Sequence, residues 1–427
     1  MNTYPDSVRF LYSLGNEVKT IKMGLERIQA VLAALDHPER ASRWVHVAGT
    51  NGKGSICAMI ESALRARGVR TGLYTSPHLE EPTERIQIAG SQVSREQFVS
   101  AFQRVHEKSE QLLEAGVIDL HPTYFETVTA MAFLLFRDAG VEMGVIEVGL
   151  GGRLDATNVI TPVLSVITPV DFDHETWLGS SLTAIAGEKA GIIKPGVPVV
   201  VAPQRPAAWQ VLSSRGAELI PVSGWAAEEL EVHRLGCRFT AVQGDVRIEV
   251  ECPLAGSHQA TNALTAVVAL HQLRVPPKSI TEGIRQARWP GRLELVSSHP
   301  DIILDGAHNP AGVGALAAYI ERFYRDRKVW LVFATMRDKS VDEISESLSL
   351  QVDEVILTAA DSERSLRPEA MRELFPEHKV RVAPRLTDAL EILREAAPED
   401  AIFITGSLFL VGEARSILCR PVATDTL

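Results

Sequence analysis

Cysteine is scarce in this chain. Its 427 residues hold four (Cys57, Cys237, Cys252 and Cys419), scattered and with no C-x-x-C pair. That argues against a disulfide framework or a structural zinc site. Long apolar runs are missing as well. No stretch approaches the roughly 18 uninterrupted apolar residues of a membrane span, so no membrane partner is expected. Met1 to Phe10 has neither a basic n-region nor an apolar h-region, and a cytoplasmic protein is expected. A basic excess is absent too. Lys and Arg total 43 against 54 Asp and Glu, a formal charge of −11, the opposite of the balance that sequence-independent nucleic-acid binding needs. No internal repeat or low-complexity segment interrupts the chain. With 45% apolar and 23% charged residues it is an ordinary globular composition, long enough for two or three domains at about 150 residues each.

Short apolar runs alternate with amphipathic stretches. Residues 44–48 (WVHVA) read as a buried strand and are followed by a glycine-rich loop. Ile56, Met59, Ile60, Ala63 and Leu64 then mark one helical face, closed by Gly68. Strands are expected over 69–74, 143–148 and 163–167, and helices over 125–136 and 182–193. Alternating strands and helices indicate a mostly parallel sheet. Residues 231–251 switch to an alternating pattern, a small antiparallel annex. Trp289-Pro290-Gly291-Arg292 marks a boundary, preceded by helical stretches at 260–273 and 278–287. A second α/β series follows, with strands at 301–305, 329–333, 354–357 and 401–405.

Gly49-Thr50-Asn51-Gly52-Lys53-Gly54-Ser55 is the strongest local signal. It lies between a strand and a helix, where converging backbone N–H groups and the helix dipole favour phosphate. Lys53 reaches outward to the terminal phosphates, and a nearby hydroxyl can meet Mg²⁺. The strict phosphate-loop spacing fails, because Val47 stands at its first position and Gly54 separates Lys53 from Ser55. The fold class expected is therefore α/β, in two parts. Residues 1–292 form a phosphate-loop-type, mostly parallel sheet domain with its antiparallel annex, and 293–427 form a smaller Rossmann-like α/β domain.

Three further constellations stand out. Glu147 ends a buried strand before Gly149-Leu150-Gly151-Gly152-Arg153-Leu154-Asp155-Ala156. A carboxylate there is costly unless paired or metal-bound, which makes it a candidate Mg²⁺ ligand rather than merely an exposed strand end. Asp171-Phe172-Asp173-His174-Glu175 puts four titratable groups in five residues at another strand end. Lys189, within Glu188-Lys189-Ala190-Gly191-Ile192, read by itself is a surface charge. In the second domain Asp305-Gly306-Ala307-His308-Asn309-Pro310 follows a strand and opens a helix. Asp305 suits ribose hydroxyls, and His308 is equally a group acting on phosphate or a loop cap.

Taken in order, these segments resemble the folylpolyglutamate synthase/dihydrofolate synthase family of the Mur ligase superfamily. The resemblance rests on 47–55 (VAGTNGKGS), 74–79 (YTSPHL), 83–86 (TERI), 147–158 (EVGLGGRLDATN), 174–179, 188–192 (EKAGI), 290–293 (PGRL), 304–310 (LDGAHNP), 338–339 and 405–408. It implies an ATP-dependent ligase in which a carboxylate becomes an acyl phosphate and the amino group of L-glutamate displaces the phosphate. By position, Asn51, Gly52, Lys53, Gly54 and Ser55 match the phosphate cradle. Asn262 matches the adenine contact, Arg292 a phosphate contact and Asp305 the ribose contact. Ser76, Glu147 and His174 match ligands for two Mg²⁺ sites. Lys189 matches a lysine that is carboxylated in the family and then holds metal. Lys53, Lys189 and His308 are the candidate catalytic residues, and a monovalent cation is allowed.

The segment 153–156 (RLDA) matches members that bind 7,8-dihydropteroate as well as extending reduced folates. Leu154, Asp155 and Ala156, with Thr123, Tyr124, Phe125 and Glu126, are the implied pterin site. Asp155 would accept from the pterin edge. Phe125 would pack on the pterin face, against the plainer reading of helix core. Lys339 and Ser407 are weaker candidates for L-glutamate. A bifunctional monomer is expected. The alternatives are a tail-extending synthase alone, or another Mur-type amino-acid ligase; a peptidoglycan-type ligase would carry a UDP-binding domain before the loop, and 48 residues precede Gly49.

Overall fold

The computed structural model describes residues 3–14, 24–337 and 341–419. The chain separates into two compact units. The first comprises Met1–Glu229, Phe239–Glu251 and Thr261–Ala287, and the second Leu230–Arg238, Cys252–Ala260 and Arg288–Leu427.

The first unit is built on eight strands: β1 Arg43–Ala48, β2 Thr71–Tyr74, β3 Ile86–Ile88, β4 Ser91–Gln92, β5 Met143–Glu147, β6 Leu164–Ile167, β7 Val199–Val201 and β8 Leu219–Pro221. Their order is β4-β3-β2-β5-β1-β6-β7-β8. The strands from β2 to β8 pair in parallel, and β3 and β4 add an antiparallel edge. Central β5 is buried throughout and β1 from its second residue, as strands covered on both faces must be. Its helices are α1 Tyr4–Ser13, α2 Glu26–Ala34, α3 Lys53–Ala66, α4 Arg95–Glu114, α5 Tyr124–Asp138, α6 Glu175–Leu178, α7 Leu182–Lys189 and α8 Pro206–Ser213. One core joins Trp44, Phe98, Phe102, Phe133 and Phe136, and another joins Ala48, Ile167, Ile185, Val199 and Leu212.

The connection after β1 runs through α3 to β2 on one side, while that after β5 runs to β6 on the other. Neighbouring strands whose connections leave in opposite directions open a crevice at their carboxyl ends, the usual ligand position in such sheets. Val47 lies level with both Glu147 and Val166. The loops after β2, β5, β1 and β6 therefore emerge side by side.

A separate sheet has the order β11-β10-β9, with β9 Ala226–His233, β10 Gly236–Gln243 and β11 Val246–Cys252. Its two-residue turns require antiparallel neighbours. It begins five residues before the stretch where alternation shows in the sequence. Helices α9 His258–Gln272 and α10 Pro277–Gln286 follow.

The second unit carries β12 Glu294–Ser297, β13 Asp301–Asp305, β14 Val329–Phe333, β15 Glu354–Leu357, β16 Lys379–Val382 and β17 Ala401–Thr405, in the order β12-β13-β17-β14-β15-β16. Helices α11 Pro310–Tyr324, α12 Val341–Ser349, α13 Leu386–Ile392 and α14 Leu408–Leu418 complete it. Ile303, Leu316, Leu331, Val355 and Phe403 form its core. Asp305 lies level with Thr405, and Thr405 with Phe333. The loops holding His308 and Ser407 thus leave adjacent strands.

Candidate active site

The loop between β1 and α3 is fixed from several sides. Gly49 has φ +150° and Gly52 φ +84°, conformations that disfavour a side chain. Space forbids one too: a Cβ on Gly49 would lie 1.8 Å from Thr168 Oγ1, and one on Gly52 2.5 Å from Asn262 Oδ1. Thr168 Oγ1 donates to Asn51 O at 2.7 Å, Thr50 N donates to Pro169 O at 3.0 Å, and Thr50 Oγ1 donates to Asp171 O at 2.9 Å. The backbone after β6 is thereby laced to the glycine loop. Gly54 and Ser55 are buried in the first turn of α3, and Asn262 packs its buried amide against Gly52.

Two lysines converge on one carbonyl. Lys53 Nζ donates to Gly49 O at 3.1 Å and to Thr50 O at 2.9 Å, and Lys189 Nζ donates to Gly49 O at 2.8 Å. Lys189 ends α7 and is only 5% exposed, so the surface reading of its sequence context gives way to a buried amine. Burial, reinforced by Lys53 and opposed by Asp173 and Asp155, lowers its pKa to about 7.

Glu147, at the end of β5, is 4% exposed and accepts from Ser76 N at 3.1 Å. A buried carboxylate held through one oxygen by a backbone amide fits a hard divalent cation. Cys57 on α3 feels the same charges: burial raises its pKa, as does Glu147, while Lys53 opposes. His174 has φ +53° at the start of α6, where its backbone N–H donates to Asp173 Oδ1 at 2.9 Å.

The pterin candidates lie at the start of α5 and in the loop after β5. Phe125 lies over Gly149, where a Cβ would meet its ring at 2.6 Å, and is 6.0 Å from the ring of Tyr74. Tyr124 stacks on Tyr12 at 5.6 Å with the Arg85 guanidinium 5.0 Å from its ring centre. Thr123 and Glu126 form the capping box of α5, and buried Glu126 also pairs with buried Arg27 at 3.0 Å. Asp155 is deeply buried. One oxygen accepts from Leu150 N at 2.8 Å, the other from Thr157 N at 3.0 Å and from the Thr157 hydroxyl, which in turn lies 2.9 Å from His46 Nε2. Burial raises its pKa, opposed by these bonds. Leu154 is half-buried beside it and Ala156 buried.

In the second unit, Asp305 accepts from Leu293 N and Ala307 N, both at 2.9 Å. Burial raises its pKa, with Arg292 opposing. Arg292 Nη1 donates to Gly291 O at 3.2 Å and lies over Gly306. His308 Nδ1 donates to Gly306 O at 2.8 Å, which leaves Nε2 as its acceptor face. Ser407 caps α14, its Oγ accepting from Phe409 N at 3.2 Å. Lys339 lies outside the described residues.

Sequence reasoning singled out neither Thr168 nor Arg27. Glu84 was visible only as part of TERI. Its carboxylate collects Leu79 N, Glu80 N and Glu81 N at 2.7–2.8 Å and so shapes the loop after Ser76.

Comparison with known proteins agrees with this architecture. Residues 47–270 match the Mur ligase middle domain and 291–408 the Mur ligase glutamate ligase domain. The folylpolyglutamate synthase of Lacticaseibacillus casei is 35% identical over 97% of this chain and 98% of its own. The dihydrofolate synthase/folylpolyglutamate synthase of Mycobacterium tuberculosis is 35% identical over 94% of this chain and 91% of its own. Among solved structures, M. tuberculosis folylpolyglutamate synthase complexed with ADP and AMPPCP superposes with a TM-score of 0.90 at 33% identity, covering 98% of this chain and 99% of that one. Escherichia coli FolC in complex with DHPP and ADP gives 0.87 at 29% identity over 98% of each. The chain belongs to the Mur ligases, in the folylpolyglutamate synthase/dihydrofolate synthase family.

Proposed function

We propose that this chain is a bifunctional ligase that joins L-glutamate to 7,8-dihydropteroate and to the γ-carboxylate of reduced folates, converting ATP to ADP and phosphate. The observation that carries this reading is the glycine loop with two lysines on one carbonyl beside a buried glutamate. It is a phosphate cradle with both a fixed cation and a place for divalent metal.

In the first step a carboxylate oxygen of the acceptor attacks the γ-phosphorus, and the bond to the ADP oxygen breaks. In the second, the glutamate nitrogen attacks the acyl carbon, loses a proton, and phosphate leaves. Both steps need charge neutralised and reactants aligned more than they need covalent help from the protein. Lys53 turns from the loop carbonyls to phosphate oxygens. Asn51, Gly52, Gly54 and Ser55 cradle the phosphates, Asn262 meets the adenine, Arg292 a phosphate and Asp305 the ribose. Ser76, Glu147 and His174 hold Mg²⁺, which supplies charge neutralisation at the phosphates. Lys189, neutral in a substantial fraction near pH 7, would attack CO₂ through its lone pair as one C=O π bond opens, lose a proton from nitrogen to solvent and so become a carbamate, an anion suited to holding the second metal. His308 Nε2 faces the phosphate side. Thr123 to Glu126 and Leu154 to Ala156 line the pterin site, and Lys339 and Ser407 serve glutamate. In this reading 1–292 is the ATP and pterin domain, 293–427 the glutamate-ligase domain, and the enzyme is a cytoplasmic monomer.

The test is phosphate release with Mg-ATP and L-glutamate, comparing 7,8-dihydropteroate with tetrahydrofolate and reading product mass. Turnover with both is expected. Turnover with tetrahydrofolate alone would leave a tail-extending synthase, and silence with both would refute the assignment.

A further inference from the structure

Helix α4 carries His106 and Glu110 one turn apart, on the same face. His121 comes from the segment between α4 and α5 and meets them there. His106 Nδ1 is 3.4 Å from His121 Nε2 and 3.8 Å from Glu110 Oε1, and His121 Nε2 is 3.6 Å from that same oxygen. One atom from each side chain thus forms a nearly equilateral triangle. A point equidistant from the three lies about 2.1 Å from each, which is the bond length of Zn²⁺ to imidazole nitrogen and carboxylate oxygen.

The surroundings favour coordination. His121 Nδ1 is 3.1 Å from Pro122 O, an acceptor only, so that nitrogen carries the proton and Nε2 presents its lone pair to the triangle. A ligand imidazole fixed through its other nitrogen by a backbone carbonyl is the habitual support of zinc sites. Ring contacts hold the imidazole planes: Phe10 lies 4.7 Å from His106 and 5.4 Å from His121, and Phe102 stacks on His106 at 5.5 Å. Glu110 is half-exposed, which leaves a solvent side for a water ligand. Two imidazoles and one carboxylate suit Zn²⁺ and its neighbours Co²⁺ and Ni²⁺, and not Mg²⁺ or Ca²⁺, which take oxygen shells.

We propose that His106, Glu110 and His121 form a binding site for a Zn²⁺-class divalent ion, separate from the Mg²⁺ positions of the phosphate loop. The ion staples α4 to the segment that leads into Thr123 and α5. It thereby orders the approach to the pterin residues without touching the phosphate chemistry. The alternative for the same atoms is a plain hydrogen-bonded histidine pair beside a carboxylate.

The experiment uses the full chain, stripped of metal and held in excess Mg²⁺ so that the phosphate-loop ligands are occupied. Co²⁺ is titrated while visible d–d absorption is recorded, and Zn²⁺ is titrated against a chromophoric chelator. One ion per chain is expected, with Zn²⁺ displacing Co²⁺ and raising the melting temperature. His106→Gln and Glu110→Gln should each weaken binding at least about tenfold, the loss that even an outer-shell change brings. Glu110 is on the surface, so Glu110→Gln keeps its circular dichroism and its glutamate ligation in Mg²⁺. Unchanged stoichiometry and affinity in both variants would overturn the site, as would failure of the wild-type chain to hold any ion with a Kd below about 100 μM.

Discussion

Lys189 offers a direct test of how this site is charged. Its amine is buried, and its pKa falls from 10.5 in the unfolded chain to about 7 in the folded one. Between those values the unfolded state binds a proton that the folded state does not, so stability must rise with pH across that window. At pH 8 the gap of about 2.5 units corresponds to roughly 3 kcal/mol spent on keeping the amine neutral. Lys189→Met removes this cost and retains most of the volume. It also removes the bond from Nζ to Gly49 O, about 1 kcal/mol. That carbonyl is not orphaned, because Lys53 Nζ also donates to it. The variant should therefore be more stable than wild type by about 2 kcal/mol at pH 8 in CO₂-free buffer, with the difference fading as pH approaches 10.

The assay is urea unfolding at pH 7.5, 8.5 and 9.5, paired with ATP-dependent phosphate release. Activity should drop at least about 100-fold, since the variant can neither form a carbamate nor hold metal through one. Added bicarbonate should stabilise wild type in Mg²⁺ and leave Lys189→Met unmoved. A variant that is less stable than wild type across this range, or one that turns over normally, would refute the reasoning.

Four other outcomes follow. Gly52→Ala should raise the KM for ATP at least tenfold, because the left-handed backbone costs about 1 kcal/mol and the new methyl displaces Asn262; steady-state kinetics reads it. Arg27→Met should cost about 3–5 kcal/mol in urea unfolding by leaving Glu126 charged and buried, and the double variant with Glu126→Gln should recover most of it. Asp155→Asn puts an amide NH₂ against backbone N–H donors and should destabilise by about 2–3 kcal/mol as well as weaken dihydropteroate; a KM effect at full stability would show that the carboxylate acts on the pterin alone. Acid should act through His46, which is fully buried with a pKa lowered to about 3 by desolvation and by Lys194. Below pH 6.5 the unfolded imidazole is protonated first, so His46 contributes about 1.4 kcal/mol of lost stability per pH unit down to about 3, and His46→Gln should flatten that slope in acid titrations of the fold.

Most of the scaffold was legible because buried parallel strands are continuous apolar runs. β13, β14, β15 and β17 lie at the boundaries read from sequence. The edge strands β12 (ELVS) and β16 (KVRV) escaped, since four residues mixing polar and apolar side chains are too short to stand out from loop, even where KVRV alternates. The expected helix over 182–193 ends as α-helix at Lys189 and finishes as a 3₁₀ turn, where Gly191 meets the backbone of Arg153. Long-range pairings were invisible for a different reason. Thr168 and Asn51 are 117 residues apart, Arg27 and Glu126 are 99 apart, and nothing local marks either pair. The burial of Lys189 belongs to the same class, because it is set by the core around α7 and not by its own helix.

The two aspartates matched to ligands share a device that spacing alone does not reveal. Asp155 lies in the loop after buried β5 and Asp305 ends buried β13; each is buried and gives both oxygens to backbone N–H groups, Asp155 to Leu150 and Thr157 of its own loop, Asp305 to Ala307 of the loop that follows it and to Leu293 before β12. The bonds offset part of the burial that raises both pKa values, and such a carboxylate is expensive to lose, since every donor it serves would be orphaned. Its first effect is to fix a loop. Asp155 sets the course of 149–157, beneath Phe125, and Asp305 ties Leu293 to Ala307, on either side of Arg292 and Gly306. Beside the aspartates stand partly exposed side chains: Phe125 in one unit, and Arg292 and His308 in the other. Ligand recognition by either carboxylate has to use the lone pairs its loop leaves over. Even a conservative change at these positions will therefore disturb the loop and the ligand together, and separating the two effects requires stability and KM to be measured on the same variant.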